Sequence, residues 1–169
     1  MSTATAGQSV NAVPAAQGEA VWLNGALMDI KSPAEWSGDA FSLAEVAMER
    51  GRATGLHTDP SEETFYILDG ELLFHIDGEQ RGASAGDTIA IRRGVPHAFI
   101  ATSALARFLV LNTPGTHDRF FRAAGYPATD RDFKSAPPPD LERTRAAAER
   151  FGVQLLGPAP FENVRLQSG

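Results

Sequence analysis

GRATGLHTDPSEETFYILDG, residues 51–70, is the stretch from which the architecture can be read. His57 and Asp59 stand two apart, so on an extended chain both side chains leave the same face. Pro60, Ser61 and Glu62 give the backbone room to turn, and Glu63 then opens a strand. Its alternation sets Glu63, Phe65 and Ile67 on one side and Thr64, Tyr66 and Leu68 on the other. A carboxylate that shares a face with a row of apolar side chains is costly unless it is paired or holds a cation. Residues 64–68 are strongly β-prone, and Asp69-Gly70 predicts a hairpin turn from which residues 71–76 pair back.

Similar short β-type segments extend on both sides. Residues 20–30 read as two strands around Asn24-Gly25, a dipeptide suited to a type I′ turn, and residues 41–48 form another apolar stretch. Asp77-Gly78 and Gly86-Asp87 mark further turns, and residues 88–91, 98–101 and 107–111 complete about eight strands. Beyond Pro114 the pattern changes. Thr116 is placed to cap a helix ending at Ala124 with Gly125 as its left-handed stop, Pro137-Pro138-Pro139 reads as a stiff spacer, and Asp140 caps a stronger helix over residues 141–151 stopped by Gly152. The expected organisation is a flexible arm over residues 1–19, a β-barrel over 20–112 and a helical or irregular appendage over 113–169.

Composition narrows the chemistry. The 169 residues carry 15 Lys and Arg against 21 Asp and Glu, a formal charge of -6 that repels phosphate backbones, so nucleic acid is not an expected partner. Apolar runs are of strand length, well short of the ~20 residues a membrane helix needs. The N-terminal 20 residues have neither the basic nor the apolar region of a signal peptide, so a cytoplasmic location is expected. With no Cys, thiol nucleophiles, disulfides and iron–sulfur clusters are excluded, and any metal must be held by His, Asp and Glu. Of the four His, His97 follows the Gly94-Val95-Pro96 turn and enters a strand with Phe99 and Ala101 on its own side. His75, on the face opposite Phe74 and Ile76, reads as a solvated or sheet-packing residue. His117, at a helix start, reads as exposed. Arg92 and Arg93 are adjacent turn charges of which at most one points inward.

These residues resemble the two motifs of the cupin superfamily of small jelly-roll barrels. Gly51, His57, Asp59, Glu63 and Gly70 keep every spacing of the first motif, with Asp59 standing where the family has a second His. Gly86, Gly94 and His97 match the second motif, with Arg92 in place of its Pro and Ala101 in place of its Asn. The resemblance implies an all-β single jelly-roll β-barrel with short C-terminal helices, a homodimer, and one divalent transition metal (Fe2+, Mn2+, Ni2+, Co2+ or Zn2+) held by His57, Glu63 and His97. Residues 18–22, the run from Phe65, the turn at 93–99 and Phe120-Phe121 are similar to quercetinase-like monocupins. That narrower resemblance implies a dioxygenase cleaving a flavonol or related phenolic with O2. Glu63 is then the catalytic proton acceptor, and Phe65, Phe99 and Phe108 would line an aromatic pocket.

Asp59 leaves alternatives open. As a ligand it makes two His and two carboxylates, a harder donor set that favours Fe(II) or Mn(II). As a partner for a His ring N–H it leaves His57, Glu63 and His97 as a two-His-one-carboxylate triad. His57, Asp59 and His97 also imitate the pattern of 2-oxoglutarate oxygenases, which does not account for Glu63. Asp59 could equally mark a site that has lost its metal. The corresponding rival functions are a non-oxidative metal cupin, such as an isomerase or polyketide cyclase, and a cupin that binds a small ligand without turnover.

Overall fold

A computed structural model describes residues 9–162 and 164, so the first eight residues of the expected arm lie outside it. Twelve described strands run β1 (Glu19–Leu23), β2 (Ala26–Ser32), β3 (Ser42–Glu49), β4 (Leu56–Thr58), β5 (Glu62–Asp69), β6 (Glu71–Ile76), β7 (Glu79–Ser84), β8 (Thr88–Ile91), β9 (His97–Ala101), β10 (Leu105–Thr113), β11 (Tyr126–Pro127) and β12 (Gln154–Gly157). Helix α1 (His117–Ala124) follows β10, and α2 (Leu141–Phe151) precedes β12. The strands form two antiparallel sheets, one in the order β11-β1-β2-β3-β10-β5-β8 and the other β12-β4-β9-β6-β7. The all-β jelly-roll expectation holds as two facing sheets, which among the described residues do not close into one continuous barrel.

Alternation drives the packing. Val46, Phe65, Ile67, Phe108 and Val110 from the larger sheet meet Leu72, Phe74, Phe99 and Ala101 from the smaller in one buried cluster. The rings of Phe65, Phe74, Phe99 and Phe108 pack at centroid separations of 5.2 to 5.9 Å, all of them edge-on or tilted, as aromatic quadrupoles favour.

The turn after β5 differs from its expected form. β6 does not pair back on β5; it crosses to the other sheet, where β9 and β7 flank it, while β5 lies between β10 and β8. Both strands bury one apolar face, and placing them in opposite sheets lets those faces meet. Gly70 makes the crossing at φ 76, and a Cβ there would collide with the Leu105 carbonyl oxygen. Gly70→Ala is expected to lose about 1–3 kcal/mol, from left-handed strain and that collision, measured by denaturant unfolding. The Asn24-Gly25 and Asp77-Gly78 hairpins form as anticipated, each with two successive positive φ values.

The C-terminal segment gives the sheets two strands besides its helices. β11 pairs with β1 and β12 with β4, strands too short or too polar to be seen in the sequence. Asp140 caps α2 by accepting from the Arg143 N–H at 2.9 Å, and Gly152 ends it at φ 76, both as expected. α1 departs from expectation at both ends. Thr116 makes no side-chain cap bond, and Gly125 is extended, because the chain runs directly into β11. A side chain at Gly125 would collide with Val21 and the Trp22 carbonyl oxygen. Buried Asp118 instead anchors the helix by accepting from the Ala34 N–H at 3.0 Å.

Candidate metal centre

Strand pairing brings the two motifs together. His57 on β4 sits opposite His97 on β9 in the smaller sheet, with ring centroids 4.3 Å apart. Glu63 projects from β5 in the larger sheet, opposite Asn112 on β10. Asp59 lies on the short link between β4 and β5, and its carbonyl accepts from the Gly94 N–H at 2.9 Å, tying the first motif to the turn of the second.

The ring orientations follow from backbone carbonyls. His57 Nδ1 lies 2.8 Å from the Gly55 oxygen and His97 Nδ1 2.9 Å from the Val95 oxygen. A carbonyl only accepts, so each Nδ1 carries a hydrogen and each ring turns its Nε2 inward. His57 Nε2 is 3.2 Å and His97 Nε2 3.5 Å from Asp59 Oδ2, while His97 Nε2 is 2.8 Å from Glu63 Oε2. One donor atom from each of His57, Asp59, Glu63 and His97 falls within 4.8 Å of the others.

This group is deeply buried, with His97 and Asp59 side chains each 1% exposed. Among the described residues, both oxygens of Asp59, Oε2 of Glu63 and Nε2 of His97 have no hydrogen-bond partner. Such atoms are costly to bury unless something satisfies them. A divalent cation suits imidazole nitrogens and carboxylate oxygens, so the donor set fits a metal. Glu63 Oε1, in contrast, is satisfied by Asn112 Nδ2 at 3.0 Å.

Electrostatics follow the crowding. Burial by itself would lower the His57 pKa, but the close approach and negative charge of the Asp59 carboxylate, with help from Glu63, push it up to about 9. Burial would likewise raise Asp59, yet the imidazoles of His117, His57 and His97 outweigh it and hold the carboxyl well below its usual range. A raised His pKa adds stability that is complete below its ordinary value of 6.5 and lost as pH rises through about 9. The metal-free protein should therefore melt at progressively lower temperature across that window, and Asp59→Asn should flatten the slope. Metal binding needs the neutral ring, so affinity should rise over the same range, as calorimetry at several pH values would register.

The remaining anticipated residues are easily placed. Phe65, Phe99 and Phe108 lie in the packed aromatic cluster, Phe65 sharing the face of Glu63 and Phe99 that of His97. Arg92 and Arg93 are exposed, Arg93 lying 3.9 Å from Glu62. His75 is half-buried. His117, expected at the surface, is instead buried, with Nε2 3.6 Å from Asp59 Oδ1 and 3.9 Å from Glu63 Oε1. A sequence signal did exist, since His117, Phe120, Phe121 and Ala124 fall on one face of α1 at helical spacing. A separate cavity of about 310 Å³ lies on the outer face of the larger sheet, lined by Leu27, Asp29, Lys31, Glu45 and Arg107 among others, away from the four donors.

A two-sheet jelly roll with a buried His, Asp and Glu group defines a class of small β proteins able to hold a divalent metal. Residues 44–112 match the Cupin domain family, so this stretch of the chain carries a cupin domain. Over 75 residues it is 28% identical to quercetin 2,3-dioxygenase of Bacillus subtilis (strain 168), covering 44% of this chain and 22% of that protein. Over 56 residues it is 39% identical to the HTH-type transcriptional regulator PuuR of Escherichia coli (strain K12), covering 32% of this chain and 30% of that one. The chain thus spans less than a third of the length of either relative. An RmlC-like cupin from Shewanella frigidimarina NCIMB 400 superposes with a TM-score of 0.56 at 13% identity, over 65% of this chain and 96% of that one, a likeness of fold. Among the described residues no helix is long and apolar enough to cross a membrane.

Proposed function

We propose that this protein is a metal-dependent dioxygenase of the quercetinase kind, acting on a flavonol or a related enolisable phenolic with O2. The observation that carries the reading is the convergence of donor atoms from His57, Asp59, Glu63 and His97, of which those of Asp59, Glu63 and His97 are buried with no hydrogen-bond partner among the described residues. The similarity to quercetin 2,3-dioxygenase supports the choice of reaction. His57, Glu63 and His97 would hold the ion, with Asp59 as a fourth ligand, and two carboxylates favour Fe(II) or Mn(II). When bound, such an ion acts as a Lewis acid that makes a coordinated hydroxyl more acidic. Glu63 accepts the hydroxyl proton at Oε2, since Asn112 already engages Oε1. Phe99, with Phe65 and Phe108 behind it, provides an apolar floor that keeps water from the reacting groups and strengthens the local electrostatics.

The test is oxygen consumption with flavonols under added Fe(II), Mn(II), Co(II) or Ni(II). Uptake dependent on one of these metals, with release of carbon monoxide, is the expected result. No uptake with any of them would overturn the reading. The likeness to a stretch of a transcriptional regulator favours a second reading, in which the domain binds a small molecule without turnover. Metal bound in stoichiometric amount, together with ligand binding but no oxygen consumption, would support that one.

A further inference from the structure

We propose that His117 is a positioning residue of this metal centre, facing the outer oxygen of Asp59 so that its inner oxygen is held toward His57 and His97. The inference rests on the metal reading above and assigns a role to a residue outside both sequence motifs.

The two carboxylates of the cluster are used in parallel ways. Glu63 turns Oε2 toward His97, and its other oxygen is fixed by Asn112 Nδ2 at 3.0 Å. Asp59 turns Oδ2 toward His57 and His97, and its other oxygen, Oδ1, has no hydrogen-bond partner among the described residues. His117 Nε2 stands 3.6 Å from that oxygen. His117 therefore occupies for Asp59 the station that Asn112 occupies for Glu63. A separation of 3.6 Å is beyond a formed hydrogen bond, so the interaction in this conformation is electrostatic.

His117 is itself firmly held. Its side chain is 5% exposed, and its ring packs 4.8 Å from Phe121 and 5.2 Å from Phe120. The next residue, Asp118, pins the start of α1 through the Ala34 N–H. Burying an imidazole against two carboxylates, at the start of a helix that lies far along the chain from either motif, needs a reason beyond packing. The four donors that come within 4.8 Å of one another do not include His117, which places it behind the ligands and not among them. Asp59 has a shorter side chain than the His that the first motif usually carries at this position. A carboxylate with a free outer oxygen can rotate away from an ion, and a group behind that oxygen limits the rotation, which is how residues surrounding metal ligands tune affinity.

The test is Co(II) binding to the full-length protein, followed by calorimetry and by the visible absorption of the bound ion. H117A is expected to weaken binding about 10- to 100-fold and to alter the Co(II) bands as Asp59 loses its fixed orientation. H117Q, which keeps a side-chain N–H, should restore part of the affinity, and it serves as the working variant should H117A fail to fold. In a D59A background the substitution at position 117 should cause no further loss, because His117 acts through Asp59. Unchanged affinity and spectrum in folded H117A, or an equal loss in both backgrounds, would overturn the proposal while leaving the metal site intact. Absence of Co(II) binding by the unaltered protein would instead overturn the metal reading on which it rests.

Discussion

Glu63→Gln is expected to remove nearly all metal affinity while leaving the fold in place. Gln matches Glu in volume, and its carbonyl can still accept from Asn112 Nδ2, so the β5–β10 contact at 63 and 112 survives. What disappears is the negative charge on Oε2, which lies 2.8 Å from His97 Nε2 and has no hydrogen-bond partner among the described residues. A neutral amide is a poor ligand for a hard divalent ion, and the substitution also removes the proposed proton acceptor. Loss of an outer hydrogen-bond partner alone typically costs about 10- to 100-fold in metal affinity, so loss of a ligand should exceed that. Metal content after dialysis and calorimetric titration would measure the loss, with circular dichroism confirming an unchanged fold. Oxygen uptake should fall with metal content and should not recover when metal is added in excess, because the proton acceptor is gone as well.

Phe108→Ala should produce the largest loss of stability of any single change considered. Phe108 is 0% exposed on β10, between β3 and β5, and its ring lies 5.9 Å from Phe65 and 5.6 Å from Phe99. Truncating a buried Phe costs about 3–5 kcal/mol, the sum of lost transfer energy and the cavity left behind. Against a typical total of roughly 5–15 kcal/mol, that is enough to lower the melting temperature by about 10 °C or more. Tyr66, on the neighbouring β5 but 45% exposed, is the natural control, and Tyr66→Ala should stay within roughly 0.5 kcal/mol. The metal centre should loosen together with the core, since Phe65 and Glu63 leave the same face of β5 and Phe99 and His97 the same face of β9. Comparing metal affinity well below the new melting temperature would separate this local effect from global unfolding.

Much of the site was legible because its parts are local. His57, Asp59 and Glu63 fall within one turn between two strands, where a period of two assigns each side chain to a face without knowledge of the remaining chain. The same period put Glu63 with Phe65 and Ile67, and all three are buried as it required. His97 was legible for a similar reason, entering its strand after a Gly-Pro turn with Phe99 and Ala101 beside it. His117 was misread as exposed because a helix start is usually solvated. The burial of that helix face depends on α1 docking against α2 and the β1–β3 part of the larger sheet, which no local pattern states.

Alternation, turn dipeptides and motif spacing by themselves determined the strand character, the hairpins at Asn24-Gly25 and Asp77-Gly78 and the four side chains that come together, because each depends on neighbours a few residues apart. Tertiary structure alone decided that β6 leaves β5 for the opposite sheet, that β11 and β12 return from the C-terminal segment to extend both sheets, and that His117 stands behind Asp59. Those outcomes turn on which apolar faces can be buried against one another across long separations in the chain, and that balance is settled only when the two sheets and α1 pack together.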